Sequence, residues 1–125
     1  MKNSGEVIPE GIYPVKGVTV KDNQISGYGN GISITLADTD TVMDNQVKMK
    51  KTSAYSNLGI YAEDSRGSII KRNQVSGTAN TGIYMKDSSY AAGSKQKNLI
   101  SGNTVASPGG DGIYLQSVNA TSTAE

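Results

Sequence analysis

One short pattern returns four times along this chain and restricts it to folds built from equivalent coils. A strand-like stretch ends in Asn and continues into a polar-apolar pair: VTVKDNQIS at 18–26, TVMDNQVK at 41–48, IIKRNQVS at 69–76 and LISGNTVA at 99–106. A second motif, Gly-Ile opening an alternating stretch, interleaves with the first and starts at Gly11, Gly31, Gly59, Gly82 and Gly112. The asparagines Asn23, Asn45, Asn73 and Asn103 stand 22, 28 and 30 residues apart. Unequal spacing excludes a heptad, a propeller blade or a helical repeat of fixed length. It suits a coil whose strands are constant while its loops accept insertions.

Aligned on Asn, apolar residues recur three positions before it (Val20, Val42, Ile70, Ile100) and two after it (Ile25, Val47, Val75, Val105). Aligned on Gly-Ile, they recur at Ile12, Ile32, Ile60, Ile83 and Ile113, and two further on at Ile34, Ala62, Met85 and Leu115. Period-two alternation with β-branched residues means strands, and nothing has a helical period. Composition sharpens the point. Only 35% of residues are apolar and 6% aromatic, all seven aromatics being Tyr, so an ordinary core would be short of large side chains. If each repeat is one rung, like residues stack about 4.8 Å apart and thin columns of Ile, Val and Leu supply the core instead.

The pattern V-x-D-N-x-I-S-G, a short Gly/Asn turn and then G-I-Y resembles the repeat of right-handed parallel β-helices of the pectate-lyase-like superfamily, which includes polygalacturonases, mannuronan epimerases and phage tailspikes. The resemblance covers residues 11–118. It implies an all-β solenoid of about four to five coils with three strands each, preceded by a lead-in over 1–10 and followed by a flexible tail over 119–125. It also implies that the Asn column is an internal amide ladder. Gly31, Gly59, Gly82 and Gly112 are expected to permit the turn into the next strand. Pro14 would mark the start of the stack, since proline is tolerated at a sheet edge. Without a convincing cap at either end, about four coils read as a piece of a longer solenoid.

In the resembling enzymes the Gly-Ile strand borders a polysaccharide groove. Its outward positions here are Tyr13, Ser33, Tyr61, Tyr84 and Tyr114, with Glu63, Lys86 and Gln116 two residues further on. Tyr rings offer flat apolar surface with a hydrogen-bonding tip, and the rung spacing is similar to the repeat of an extended glycan. Insertions at Met49–Leu58 and Ser88–Gln96 would wall this face. Residues 48–97 carry nine basic against three acidic residues, among them Lys48, Lys50, Lys51, Arg66, Lys86, Lys95 and Lys97, although the whole chain is at only +1. Substrate-binding candidates are therefore Tyr13, Tyr61, Tyr84, Tyr114, Glu63, Lys86 and Gln116, facing an anionic polysaccharide such as a uronate polymer. The rival for the Tyr column is plain cross-strand stacking.

Catalysis is harder to place. The absence of His and Cys removes the common transition-metal sites, Ser-His-Asp and Cys-His nucleophiles, and disulfides. It also removes the His element of polygalacturonases, and the calcium-Asp signature of pectate lyases is missing. The residues leave activity of the chain alone open and lean against it; if it is an enzyme, a polysaccharide lyase or epimerase is expected, with Asp64, Asp87, Lys86 and Arg66 as the residues it would use. No cofactor is expected, calcium being the cation that stacked Asp64 and Asp87 would suit. Asp22 and Asp44 form a second acidic column that Arg72 interrupts, which suits a surface charge pair. The balanced charge and the lack of any apolar run beyond three residues speak against nucleic-acid and membrane partners. The leading expectation is a carbohydrate-interacting segment of an extracellular or cell-surface protein. One alternative is the shaft of a tailspike or adhesin, homotrimeric and located in a virion if a tailspike; a second is a fragment of a polysaccharide lyase or epimerase.

Overall fold

The computed structural model describes residues 10–12, 17–27, 29–35, 39–51, 57–86, 98–106, 108–116 and 123–124. These residues form a right-handed parallel β-helix. One sheet holds the Gly-Ile strands β1 (Glu10–Ile12), β4 (Asn30–Thr35), β7 (Ile60–Glu63), β10 (Ile83–Lys86) and β13 (Ile113–Gln116). A second holds the strands before Asn: β2 (Thr19–Lys21), β5 (Thr41–Met43), β8 (Ile69–Lys71), β11 (Leu99–Ser101) and β14 (Thr123–Ala124). The third holds the strands after Asn: β3 (Gln24–Gly27), β6 (Gln46–Met49), β9 (Gln74–Ser76) and β12 (Thr104–Ala106). Every pairing is parallel and joins a strand to its equivalent one coil away, such as Val20 to Val42 and Ile83 to Ile113.

The register makes the core from columns of like residues. Val20, Val42, Ile70 and Ile100 stack from one sheet, Ile25, Val47 and Val75 from another, and Ile32, Ile60 and Ile83 from the third, all buried in a single cluster. A fully buried Val or Ile contributes about 1.5–3 kcal/mol, so these columns compensate for the missing large aromatics. The burial fades at the last coil, where Leu115 is 37% exposed although it continues the column of Ile34, Ala62 and Met85. Strand β14 reaches into the segment expected to be a loose tail and pairs with β11 through Leu99–Thr123 and Ile100–Ala124. Pro14 lies outside the described residues.

The corner between the second and third sheets carries the asparagine ladder. Each amide nitrogen donates to the next asparagine's Oδ1: Asn23 to Asn45 at 3.1 Å, Asn45 to Asn73 at 2.9 Å and Asn73 to Asn103 at 2.9 Å. The same oxygens accept the backbone N–H of the preceding asparagine, as Asn73 Oδ1 does from Asn45 at 3.0 Å. The second amide proton goes back one coil to a strand carbonyl, from Asn45 to Val20, Asn73 to Val42 and Asn103 to Ile70. The residue before each asparagine adopts a left-handed conformation, with φ of 57° at Asp22, 57° at Asp44, 52° at Arg72 and 62° at Gly102. For L-residues this costs roughly 1–2 kcal/mol each, and the ladder bonds offset it. Arg72 is further held by Asp44, Nε to Oδ1 and Nη2 to Oδ2 both at 2.8 Å. This bidentate pair keeps the Asp44 carboxyl below its ordinary range, and it is the charge pair expected from the interrupted acidic column.

Two features of the corners differ from the sequence expectation. Gly31, Gly59 and Gly82 are required by close approach rather than by a positive φ. A Cβ on Gly31 would lie 2.5 Å from Val47 Cγ1 and 2.6 Å from the Gly59 carbonyl oxygen, and one on Gly59 would lie 2.5 Å from the Gly82 carbonyl oxygen. A second ladder, without a shared residue identity, occupies the corner leading into the second sheet. There Val18 N–H donates to Asp40 Oδ1 at 2.8 Å and Ser68 N–H to Asn98 Oδ1 at 2.9 Å, with Asp40, Ser68 and Asn98 buried.

The ladder generates a position-dependent prediction. Replacing fully buried Asn73 by Ala leaves the Asn45 backbone and amide N–H donors and the Val42 carbonyl without this partner, while Asn103 Oδ1 keeps the backbone N–H of residue 73; each buried orphaned group costs about 1–3 kcal/mol. Asn73→Ala is expected to lower unfolding stability by at least about 3 kcal/mol, whereas Asn23→Ala at the half-exposed end costs about 1 kcal/mol. Urea titration of both variants measures the difference; equal losses would contradict a ladder whose strength comes from burial.

Candidate functional site

The outward face of the Gly-Ile sheet is set by the same register as the core. Because Ile60, Ile83 and Ile113 point inward, Tyr61, Tyr84 and Tyr114 must point outward in one line, paired Tyr61–Tyr84 and Tyr84–Tyr114 across successive rungs. The ring centroids are 5.5 and 5.1 Å apart and the ring planes are inclined at 54° and 56°. Such tilted pairs are favourable by about 0.5–1.5 kcal/mol beyond their buried area. On β4 the column continues as buried Ser33.

Two residues along, Thr35, Glu63, Lys86 and Gln116 form the neighbouring column. Tyr61 Oη donates to Glu63 Oε2 at 2.7 Å, and Tyr84 Oη donates to Gln116 Oε1. Lys86 Nζ reaches Glu63 Oε1 at 3.3 Å. The Tyr61 and Tyr84 hydroxyls are thus tied to the second column, one within its own strand and one across a rung. The Tyr61 hydroxyl is the main influence holding the Glu63 carboxyl below the usual carboxylate range; burial opposes it, and the Lys86 ammonium adds to the lowering.

The structure therefore brings Tyr61, Tyr84, Tyr114, Glu63, Lys86 and Gln116 together on one face. Tyr13 and Asp87 lie outside the described residues, as do Lys95, Lys97, the loop 88–96 and most of the loop after Met49. Asp64 and Arg66 leave this face at the following corner: Asp64 is exposed at φ 51°, its N–H bonded to the Lys86 carbonyl at 3.3 Å, and Ser65 between them is buried. The Lys48 side chain belongs to the outer face of the third sheet, beside Gln24, Ser26 and Gln46. The basic residues read as one field are thus divided between faces. One recess escaped the sequence reading. A hollow of about 310 Å³ beside the tyrosines is lined by Leu58, Asn80, Thr81, Asp111, Tyr84 and Tyr114. Leu58, Thr81 and Asp111 share one register column directly before the glycines, but their unlike side chains gave no repeat signal.

The family described as periplasmic copper-binding protein (NosD) matches residues 3–123, nearly the entire chain. This chain belongs to the NosD family. No curated protein and no solved structure matches it. The family description implies copper, and the donor set of this NosD-family chain does not fit that metal. Copper sites use imidazole, thiolate or thioether ligands, and the chain has neither His nor Cys. Of its thioethers, Met85 is buried inward from the Gly-Ile sheet, Met49 is buried inward from the third sheet and Met43 belongs to the second, so the described methionines are spread over three sheets. Among the described residues no three of His, Cys, Asp or Glu gather into a metal-holding group.

Two expectations follow. Equilibrium dialysis of the chain against Cu(I) or Cu(II), followed by metal analysis, should leave no stoichiometric copper; one retained ion per chain would overturn the donor argument. For Glu63, a native pKa below the unfolded value means that the unfolded chain takes up the proton more readily. Its stabilisation is present at neutral pH and lost as pH falls through the lowered native value. Between about pH 7 and about pH 3, spanning the carboxylate range, the urea midpoint should fall less steeply in Glu63→Gln than in the parent chain.

Proposed function

We propose that this chain is a β-helical segment of a periplasmic or cell-surface protein that holds an extended polysaccharide along its tyrosine column. The observation that carries this reading is the column itself: three rings, one per rung, of which Tyr61 and Tyr84 have their hydroxyls anchored to Glu63 and Gln116. Anchored rings lose little rotamer freedom when a ligand settles on them, which favours binding. Centroid spacings of 5.5 and 5.1 Å are similar to the length of one sugar unit in an extended chain, so successive units could meet successive rings. The periplasmic placement is supported by the family description. Basic residues support the reading less than the rings do, because Lys86 is held by Glu63. Glu63 and Lys86, the acid and the base of this face, are engaged with each other, so the reading is one of binding rather than turnover.

Removing rings separates binding from simple strand stacking. In a glycan array, the double variant Tyr61→Ala/Tyr84→Ala should lose about tenfold or more in affinity, equivalent to about 1.4 kcal/mol, while its circular dichroism keeps the β signature. Unchanged glycan binding by the folded variant would leave the tyrosines as a stacking device only.

A further inference from the structure

The hollow at the corner of the Gly-Ile sheet has a different chemistry from the tyrosine column it adjoins. Leu58 and Thr81 are nearly buried and form its base, whereas Asn80 and Asp111 are exposed at its rim. Tyr84 and Tyr114 supply an apolar wall. Its volume of about 310 Å³ lies at the lower limit of ligand cavities, roughly 300–1,000 Å³, which is room for a single ring rather than for a chain. We propose that this hollow is a subsite for one uncharged sugar unit of the polysaccharide, with Asp111 and Asn80 binding its hydroxyls and Tyr84 and Tyr114 covering its apolar face. The proposal rests on the polysaccharide reading above and names the class of sugar that reading leaves open.

Charge is the argument for an uncharged unit. An ionised aspartate only accepts hydrogen bonds, so it suits a ligand rich in hydroxyl donors. A uronate carboxylate in the same hollow would face Asp111 at close range, and like charges brought together without a counter-ion are unfavourable. The described cation on this face, Lys86, already contacts Glu63 at 3.3 Å. Asn80 complements Asp111, since an amide can both donate to and accept from a hydroxyl.

The rim is also held in place. The Asp111 carbonyl accepts from Gly82 N–H at 3.0 Å, the Asn80 carbonyl accepts from Gly110 N–H at 2.9 Å, and the Thr78 carbonyl accepts from Gly109 N–H at 2.8 Å. These bonds join the turn carrying Asp111 to the equivalent turn one coil below. Rim groups fixed before the ligand arrives lose less freedom on binding. The turn that carries Asp111 thus has a fixed backbone beside the aromatic wall of Tyr84 and Tyr114.

The test titrates the full 125-residue chain with cellohexaose, mannohexaose and hexagalacturonate at low salt, by calorimetry, alongside Asp111→Asn, Tyr84→Ala and Lys48→Ala. A neutral hexasaccharide should bind more tightly than hexagalacturonate. Asp111→Asn should weaken the neutral ligand about tenfold, the scale of one lost charge-assisted hydrogen bond, and should strengthen hexagalacturonate. Lys48→Ala, which alters the outer face of the third sheet, should change neither. Neutral binding that depends on Tyr84 but ignores Asp111→Asn would overturn the subsite and leave the tyrosine reading standing. A preference for hexagalacturonate, or loss of binding in Lys48→Ala alone, would overturn the uncharged class. No binding of any of the three would overturn both readings. Asp111 is exposed, so its amide variant should fold, and matching circular dichroism spectra would establish that.

Discussion

A single side-chain amide, shared between two rungs, is the contact on which the stack depends. Turning a strand sharply within a narrow solenoid leaves peptide groups pointing inward, and buried peptide groups must be bonded. Asn45 and Asn73 meet that demand with both amide protons and the oxygen: one proton up the stack, one back to a strand carbonyl, and the oxygen for two donors of the coil before. With that corner fixed, strands on either side fall into register. The aliphatic columns then coincide, and the tyrosines line up without any instruction of their own.

Much of the fold was legible because the repeats stack like on like. The columns Val20, Val42, Ile70, Ile100 and Ile32, Ile60, Ile83, Ile113 are pairings in the structure as they are alignments in the sequence. The corner of Val18, Asp40, Ser68 and Asn98 was not legible, because a column whose members differ leaves no trace in a search for sameness. The glycines were recognised as necessary, but their reason was not. Crowding by Val47 and by the next rung's carbonyl is a property of packing between sheets, and a single strand does not display it.

The candidate site divides along the same line. The tyrosine column could be read directly, since strand alternation alone puts Tyr61, Tyr84 and Tyr114 on one outward face. The electrostatics could not. Lys86 counted as part of a basic field until the adjacent rung supplied Glu63, and Lys48 proved to sit on another sheet. Membership of the NosD family agrees with the solenoid, whereas the metal in the family description is one that this chain's donors do not suit. Folds of this kind carry their function in what is attached to the rungs.

The misfits in the columns gain meaning from the uniformity around them. One coil offers its neighbour nearly the same surface as any other, so the ladder alone would tolerate a stack in which a coil is skipped. Ala62 stands between Ile34 and Met85, and Arg72 reaches back to Asp44. Skip the middle coil and Ile34 would press on Met85 while Asp44 would meet Gly102, a residue with no charge to offer. These exceptions act as address labels, telling each rung which neighbour is its own. A version of this chain regularised to a perfect consensus would keep its ladders and lose its sense of order.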